Sequence, residues 1–265
     1  MLLKNISDLN TEKETAVIIN CNTKLVTTLA LLSTLRYAGM PVLLIDCDSS
    51  DGSLDFFLSL MERYKFDILK APLRAHGVTL DWIFKQIKSE KVLLVDSDLE
   101  IKTSDIITFF RDYIDTPSVF GCGFLNGPGW LNDPIFGELE GALFHERPWM
   151  PLTFLKVPLV QEALNHGKSF AAFRFDNKSG LTFYGSKPEV VYYDTGAQIF
   201  EYLRYGKCMY FASLPEPAHP RFVTHFFGIT RNVRNPQDTH GGGGLSKIRD
   251  IVRKRLMEVY GEEVS

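Results

Sequence analysis

Cysteine is scarce in this chain: four in 265 residues, Cys21, Cys47, Cys122 and Cys208, with no Cys-x-x-Cys pair among them. Their scatter excludes a zinc ribbon, a dithiol redox motif and a disulfide-stapled scaffold. Positive charge is also in short supply. Twenty-nine Lys and Arg against 32 Asp and Glu leave a net charge of −3, too weak a field for a general grip on a phosphate backbone, so no nucleic-acid partner is expected. No apolar run approaches the roughly 20 residues that cross a bilayer. Residues 1–8 are broken by Lys4, Asn5 and Asp8 and read as neither a secretory leader nor an anchor; a cytoplasmic location is the expectation. No Gly-x-Gly-x-x-Gly follows the first apolar run, which disfavours a dinucleotide oxidoreductase. What remains is ordinary: 45% hydrophobic, 12% aromatic and 23% charged residues describe a globular chain that can bury roughly 70–75% of its unfolded surface without a covalent staple.

Residues 1–115 alternate short apolar runs with helical periods, the signature of an α/β domain with a largely parallel sheet flanked by helices. Strands are expected at 16–20, 42–45, 66–69 and 92–95, and helices at 25–37, 54–64, 79–88 and 104–113. Gly39 and Pro41 stop the first helix, and Ser53 and Ser104 are placed to cap the second and the fourth. Past Thr116-Pro117 the texture changes. Asn126-Gly127-Pro128-Gly129-Trp130 and Arg147-Pro148-Trp149-Met150-Pro151 read as loops, with strands expected at 169–175, 181–184 and 207–211 and a helix at 196–205. Four glycines at 241–244 then form a joint before a basic helix at 245–260.

Two acidic clusters fall at the carboxyl ends of expected strands, Asp46-Cys47-Asp48-Ser49-Ser50-Asp51-Gly52-Ser53 and Asp96-Ser97-Asp98. In open α/β sheets ligands bind outside those strand ends. Closely spaced carboxylates repel unless a positive charge sits between them. A hard divalent cation, Mg2+ or Mn2+, suits such oxygen ligands and commonly bridges them to a diphosphate.

A first strand ending in Asn20-Cys21-Asn22, a second followed by Asp-x-Asp-Ser-x-Asp-Gly-Ser, a third leading to Arg74 and a strand ending in Asp96-Ser97-Asp98 together resemble the inverting glycosyltransferases of family 2, with the GT-A fold. The resemblance covers residues 15–100 in order and spacing and runs more loosely to about residue 231. It implies one domain over 1–240, with a nucleotide-sugar half at about 1–115 and an acceptor half at about 116–240, followed by the glycine hinge and helix of 241–265. It further implies that Asn20, Asn22 and Asp46 line the nucleoside pocket with Arg74 beside it. Asp98 would bind the metal directly, and Asp96 would meet the ribose or a metal-bound water. The first strand departs from the family, which more often carries Pro-x-Tyr-Asn there. The implied donor is a nucleotide sugar, UDP being the expected nucleotide, and the implied acceptor is a glycan or a lipid-linked hydroxyl.

The second half must then supply a base for the acceptor hydroxyl. Asp194, in Tyr193-Asp194-Thr195-Gly196, holds the matching place in the order, although an Asp at a helix start is commonly a cap; Glu140 and Glu146 stand in reserve. His225 falls where some GT-A enzymes bring a histidine to the cation, and imidazole is a sound ligand for manganese. Arg231 is placed to neutralise a leaving diphosphate, and His76 to lie near the phosphates. Trp130 and Trp149, set among charges and loops, are acceptor candidates, because an exposed indole stacks on the apolar face of a sugar.

The last helix gathers Leu245, Ile248, Ile251, Val252, Leu256 and Val259 on one side and Lys247, Arg249, Arg253, Lys254 and Arg255 mostly on the other. Three fates fit that pattern: docking on the domain, pairing in a homodimer, or peripheral contact with an anionic membrane. Two rival functions remain. Val42–Cys47 with Asp48 nearly fits the opening of a haloacid-dehalogenase-like phosphatase, but the later paired-Asp motif of that class is absent from the sequence. The other is a non-catalytic nucleotide-binding protein that kept the fold.

Overall fold

A computed structural model describes residues 1–11, 13–226 and 245–264. Its first half runs β1 (Leu2–Leu3), β2 (Glu14–Asn20), α1 (Lys24–Tyr37), β3 (Val42–Cys47), α2 (Ser53–Leu60), β4 (Asp67–Ala71), α3 (His76–Gln86), β5 (Lys91–Asp96), β6 (Leu99–Ile101) and α4 (Asp105–Ile114). Then come β7 (Val119–Asn126), β8 (Gly129–Trp130), β9 (Leu143–Phe144), β10 (Arg147–Lys156), α5 (Val157–Asn165), β11 (Phe173–Asp176) and β12 (Val190–Tyr193). After these follow α6 (Ala197–Glu201), β13 (Tyr210–Leu214), the single turn α7 (His219–Phe222), β14 (Val223–His225) and α8 (Leu245–Arg255).

The main sheet has eight strands in the order β1-β4-β3-β2-β5-β10-β7-β13. β1 to β5 within it are parallel, β10 runs antiparallel to both β5 and β7, and β13 returns parallel to β7. Because successive side chains of a strand face opposite ways, β2 sends Val17 into a core shared with α3, α5 and α6. Ala16 and Ile18 go to a second core shared with α1, α2 and α4. Burial on both faces is why the β2 and β3 runs read as nearly continuous apolar stretches. A smaller sheet, β11-β12-β9-β8, and the β14–β6 ribbon complete the fold.

The sheet expected from the first half is present, with local corrections. Helix α2 starts at Ser53 rather than being capped by it. Asp51 does the capping: its Oδ1 accepts from the Ser53 N–H at 3.0 Å, and its Oδ2 accepts from the Lys24 N–H at 3.1 Å, so one carboxylate serves the starts of α1 and α2. That helix ends at Leu60, where Tyr64 turns away to donate to Glu262 at 2.6 Å. Residues 169–171 are no strand, because Asp81 of α3 accepts from both the Ser169 hydroxyl and the Phe170 N–H. Residues 181–184 form a loop laced by Asn177, whose amide donates to the Leu181 and Pro188 carbonyls.

The larger omission concerns β7 and β10, adjacent interior strands of the main sheet. Gly121 and Gly123 suppress a strand reading of β7, yet glycine fits the close packing there: a Cβ on Gly121 would lie 2.7 Å from the Leu155 side chain, and one on Gly123 3.0 Å from the Leu152 carbonyl oxygen. Pro148 and Pro151 mask β10, and the pairing with β7 slips between Pro148 and Thr153, the kind of irregularity at which a sheet tolerates proline.

Of the three fates open to the last helix, docking is the one seen. Val252, Leu256 and Val264 pack on Val26, Leu29 and Leu32 of α1. Arg255 Nε and Nη2 donate to Glu100 Oε1 at 3.0 and 2.7 Å, and the Glu100 side chain is only 4% exposed. Removing the guanidinium strands a buried carboxylate, a loss of about 3 kcal/mol. Arg255→Met is therefore expected to lower the melting temperature by roughly 10 °C in differential scanning fluorimetry. An unchanged melting temperature would mean that apolar contacts alone hold the helix. No helix among the described residues is long and apolar enough to cross a membrane.

Candidate active site

β2 lies between β3 and β5 in the sheet, so the chain departs from β2 to one side and later resumes on the other. This is the topological switch point at which a crevice opens beyond the strand ends. The three loops there carry most of the polar residues singled out in the sequence.

Asn20 closes β2 and is fully buried. Its Nδ2 donates to Asp46 Oδ1 at 2.7 Å and to Ser49 Oγ at 2.9 Å, while its Oδ1 accepts from the Thr23 and Thr27 hydroxyls at 2.9 and 2.8 Å. Both donors and both acceptor positions of the amide are thus used within the protein. Asp46, also fully buried, accepts in addition from the Ser49 N–H at 3.2 Å. Asn22 and Asp48 adopt left-handed backbone with φ of 54° and 56°, a conformation that Asn and Asp bear better than other side chains. Asn22 Oδ1 accepts from the Ser50 N–H at 2.7 Å and so ties the loop after β2 to the loop after β3. Arg74 lies further out, its guanidinium 5.3 Å from the centre of the Trp82 ring.

Asp96 ends β5 and Asp98 precedes β6. The pairing of β14 with β6 puts His225 opposite Leu99, and the Phe226 N–H donates to the Asp98 carbonyl at 2.8 Å. His225 Nε2 consequently sits 3.0 Å from Asp98 Oδ1 and 3.9 Å from Asp96 Oδ2. One ligand atom from each of the three residues lies within 4.8 Å of the others, a group able to hold a metal ion. Burial pushes the Asp96 carboxyl above its ordinary range, and Asp98 adds to that; His76, first among the opposing groups, pulls it down. His76 opens α3 and lines a small cavity together with Asp96, Leu80 and Met150. The approach of α3 is close enough that a Cβ on Gly77 would lie 2.5 Å from the Phe170 carbonyl oxygen.

From the second half, Asp194 Oδ2 accepts from Arg147 Nη2 at 2.6 Å, and Oδ1 accepts from the Thr195 N–H at 2.7 Å. β10 and the end of β12 thus bring Arg147 and Asp194 together as an ion pair, and Arg147 also acts electrostatically on Asp96. Nothing in the sequence marks Arg147 as the partner of Asp194: no periodicity links the two, and only the sheet brings them together. Glu146 lies apart from this pair, its Oε2 accepting from the Tyr205 hydroxyl at 2.5 Å, and Glu140 is exposed.

The two tryptophans differ. Trp130 is 48% exposed on β8, as a stacking platform requires. Trp149 is not exposed: it is 8% accessible and packs edge-on against Phe124, His219 and His225, the last at 5.3 Å between ring centres. Placed on β10 between Phe124 of β7 and His219 of α7, it meets the core and backs His225 rather than facing solvent. Arg231 lies outside the described residues.

No family model matches the chain, and no curated protein matches its sequence. Solved structures do match its shape. The mannosyltransferase PcManGT from Pyrobaculum calidifontis, solved in complex with GDP-Man and Mn2+, aligns over 78% of this chain and 55% of its own, at 13% identity and a TM-score of 0.51. The glycosyltransferase GlyE of Streptococcus pneumoniae TIGR4 aligns over 97% and 66%, at 11% identity and a TM-score of 0.46. The 4-diphosphocytidyl-2C-methyl-D-erythritol synthase of Anaerococcus prevotii DSM 20548 aligns over 77% and 86%, at 10% identity and a TM-score of 0.48. The chain thus spans little more than half the length of the mannosyltransferase it matches. The likeness establishes the fold, which is the GT-A fold expected from the ordered motifs; function has to be argued from the site.

Proposed function

We propose that this chain is a metal-dependent glycosyltransferase of the family 2 type, moving a hexosyl group from a nucleoside-diphosphate sugar, UDP-linked by expectation, to the hydroxyl of a glycan or lipid-linked acceptor. The observation that carries the reading is the convergence of Asp96, Asp98 and His225 at the switch point of a GT-A sheet. Two carboxylates and an imidazole form a mixed oxygen and nitrogen donor set, which suits Mn2+ and also accepts Mg2+. Asp98 and His225 are the direct ligands in this reading. A cation bound there supplies Lewis-acid stabilisation of the diphosphate as the glycosidic bond breaks.

The remaining chemistry belongs to the protein. Asp194 takes the proton of the acceptor hydroxyl as its oxygen attacks the anomeric carbon, and the electrons of the breaking bond leave on the diphosphate. Arg147 holds the Asp194 carboxylate in place through its 2.6 Å bond. Arg231 remains the candidate for neutralising the leaving group. Asn20 acts from behind the site, fixing Asp46 and the Ser49 loop, while Asn22, Asp46 and Arg74 border the nucleoside. Inversion belongs to the same family reading. Burial of Asp46 and its engagement with Asn20 and Ser49 deny it the open approach that a phosphatase nucleophile needs.

A thermal-shift screen against UDP, GDP, CDP and dTDP sugars, each with Mn2+ and again with EDTA, tests the proposal. One nucleotide is expected to raise the melting temperature by roughly 5–10 °C at about 100 times its Kd, and only with metal present. Silence with all four would overturn the proposal; turnover of a generic phosphatase substrate would then favour phosphoryl transfer, and silence there too a non-catalytic scaffold that kept the fold.

A further inference from the structure

A cavity of about 430 Å³ lies among Phe173, Phe175, Phe183 and Tyr193, with Glu201 and Lys168 supplying charge. Its volume falls in the range of small-molecule sites, roughly 300–1,000 Å³. Tyr193 directly precedes Asp194, so the cavity and the proposed base share the end of β12.

The polar groups are set for recognition. Glu201 Oε1 accepts from the Tyr193 hydroxyl at 2.9 Å and faces His145 Nε2 at 3.5 Å, while the His145 ring stacks on Tyr193 with 4.5 Å between ring centres. Burial raises the Glu201 carboxyl, but hydrogen bonds from His145 and Tyr193 outweigh it and hold the group below its ordinary range, as a carboxylate. Glu201 Oε2 has no hydrogen-bond partner among the described residues and remains an acceptor; the Lys168 ammonium likewise makes no hydrogen bond there and remains a donor.

One negative and one positive group sum to a neutral lining. A cationic ligand would meet Lys168 and an anionic one Glu201, each unfavourably. A neutral polyhydroxylated ring meets neither difficulty: its hydroxyls donate to Glu201 and accept from Lys168, and its C–H face lies on the aromatic rings. We infer that this cavity is the acceptor subsite and takes a neutral sugar ring. The acceptor role rests on the glycosyltransfer reading, whereas the carbohydrate chemistry of the cavity does not. It also moves the aromatic platform from Trp149, which is buried, to the rings of β11, β12 and the 181–184 loop.

Saturation-transfer NMR with the methyl glycosides of glucose, galactose, mannose and N-acetylglucosamine tests the inference on the full chain. Saturation is expected to pass from the protein to at least one of them. Thr182→Trp places an indole at the cavity wall from an exposed position and should abolish that transfer, its cooperative melting showing that it folds. Glu201→Gln keeps the volume but removes the charge, and binding should weaken about tenfold. No transfer to any glycoside in a protein that binds a nucleotide sugar would overturn the inference alone, as would transfer unaffected by both variants. Glycoside binding in a protein that binds no nucleotide sugar would overturn the acceptor role together with the transferase reading, leaving a sugar-binding cavity.

Discussion

Asp98→Ala is expected to abolish metal-dependent nucleotide binding and to lower kcat/KM about a thousandfold or more. A Lewis acid at the leaving group is worth several kcal/mol of transition-state stabilisation, and each 1.36 kcal/mol is a factor of about ten in rate. The Asp98 side chain is 7% exposed and lies 3.0 Å from His225 Nε2, so the substitution removes one ligand and loosens the setting of the other. The backbone bond from Phe226 to the Asp98 carbonyl does not depend on the side chain, and the β14–β6 ribbon should persist. A Mn2+ titration followed by nucleotide binding reads the effect. Full activity in this variant would place the cation elsewhere.

Asp194→Asn should separate chemistry from binding. An amide cannot take the acceptor proton, and loss of a positioned general base costs about 10²–10⁴ in turnover. The nucleotide contacts proposed above belong to the loops after β2, β3 and β5, so on that reading the metal-dependent affinity should stay within a factor of about two. The single amide oxygen can accept from Arg147 or from the Thr195 N–H but cannot serve both as the two carboxylate oxygens do, so cooperative melting is measured beside turnover to show that the variant folds. Turnover within a few-fold of wild type would sink the assignment and turn attention to Glu146, whose carboxylate already has the Tyr205 hydroxyl as a partner.

How legible the protein was depended on what each residue answers to. The β2 and β3 runs and the place of Asp96-Ser97-Asp98 at a strand end are legible because a buried parallel strand and the acidic turn after it are consequences of nearest-neighbour chemistry. β7 and β10 escape the same reading. Their Gly121, Gly123, Pro148 and Pro151 contradict strand propensity, and what makes them a strand pair is the lack of room beside Leu152 and Leu155 and a slip in register. Trp149 shows the same limit in reverse: a residue set among prolines and charges, it is enclosed by Phe124, His219 and His225 from distant segments.

The sequence by itself determined the α/β class, the order of the nucleotide-side motifs and the placing of carboxylates at strand ends, since each depends on residues within a few positions of one another. Only the tertiary structure decided that Asn20 is spent on Asp46 and Ser49, that Arg147 meets Asp194, and that the last helix clamps Glu100 through Arg255. It also decided that four aromatic rings from β11, β12 and the 181–184 loop line one open cavity. These contacts join residues far apart in the chain, and their energy is gained only when the sheet has closed and excluded water from between them.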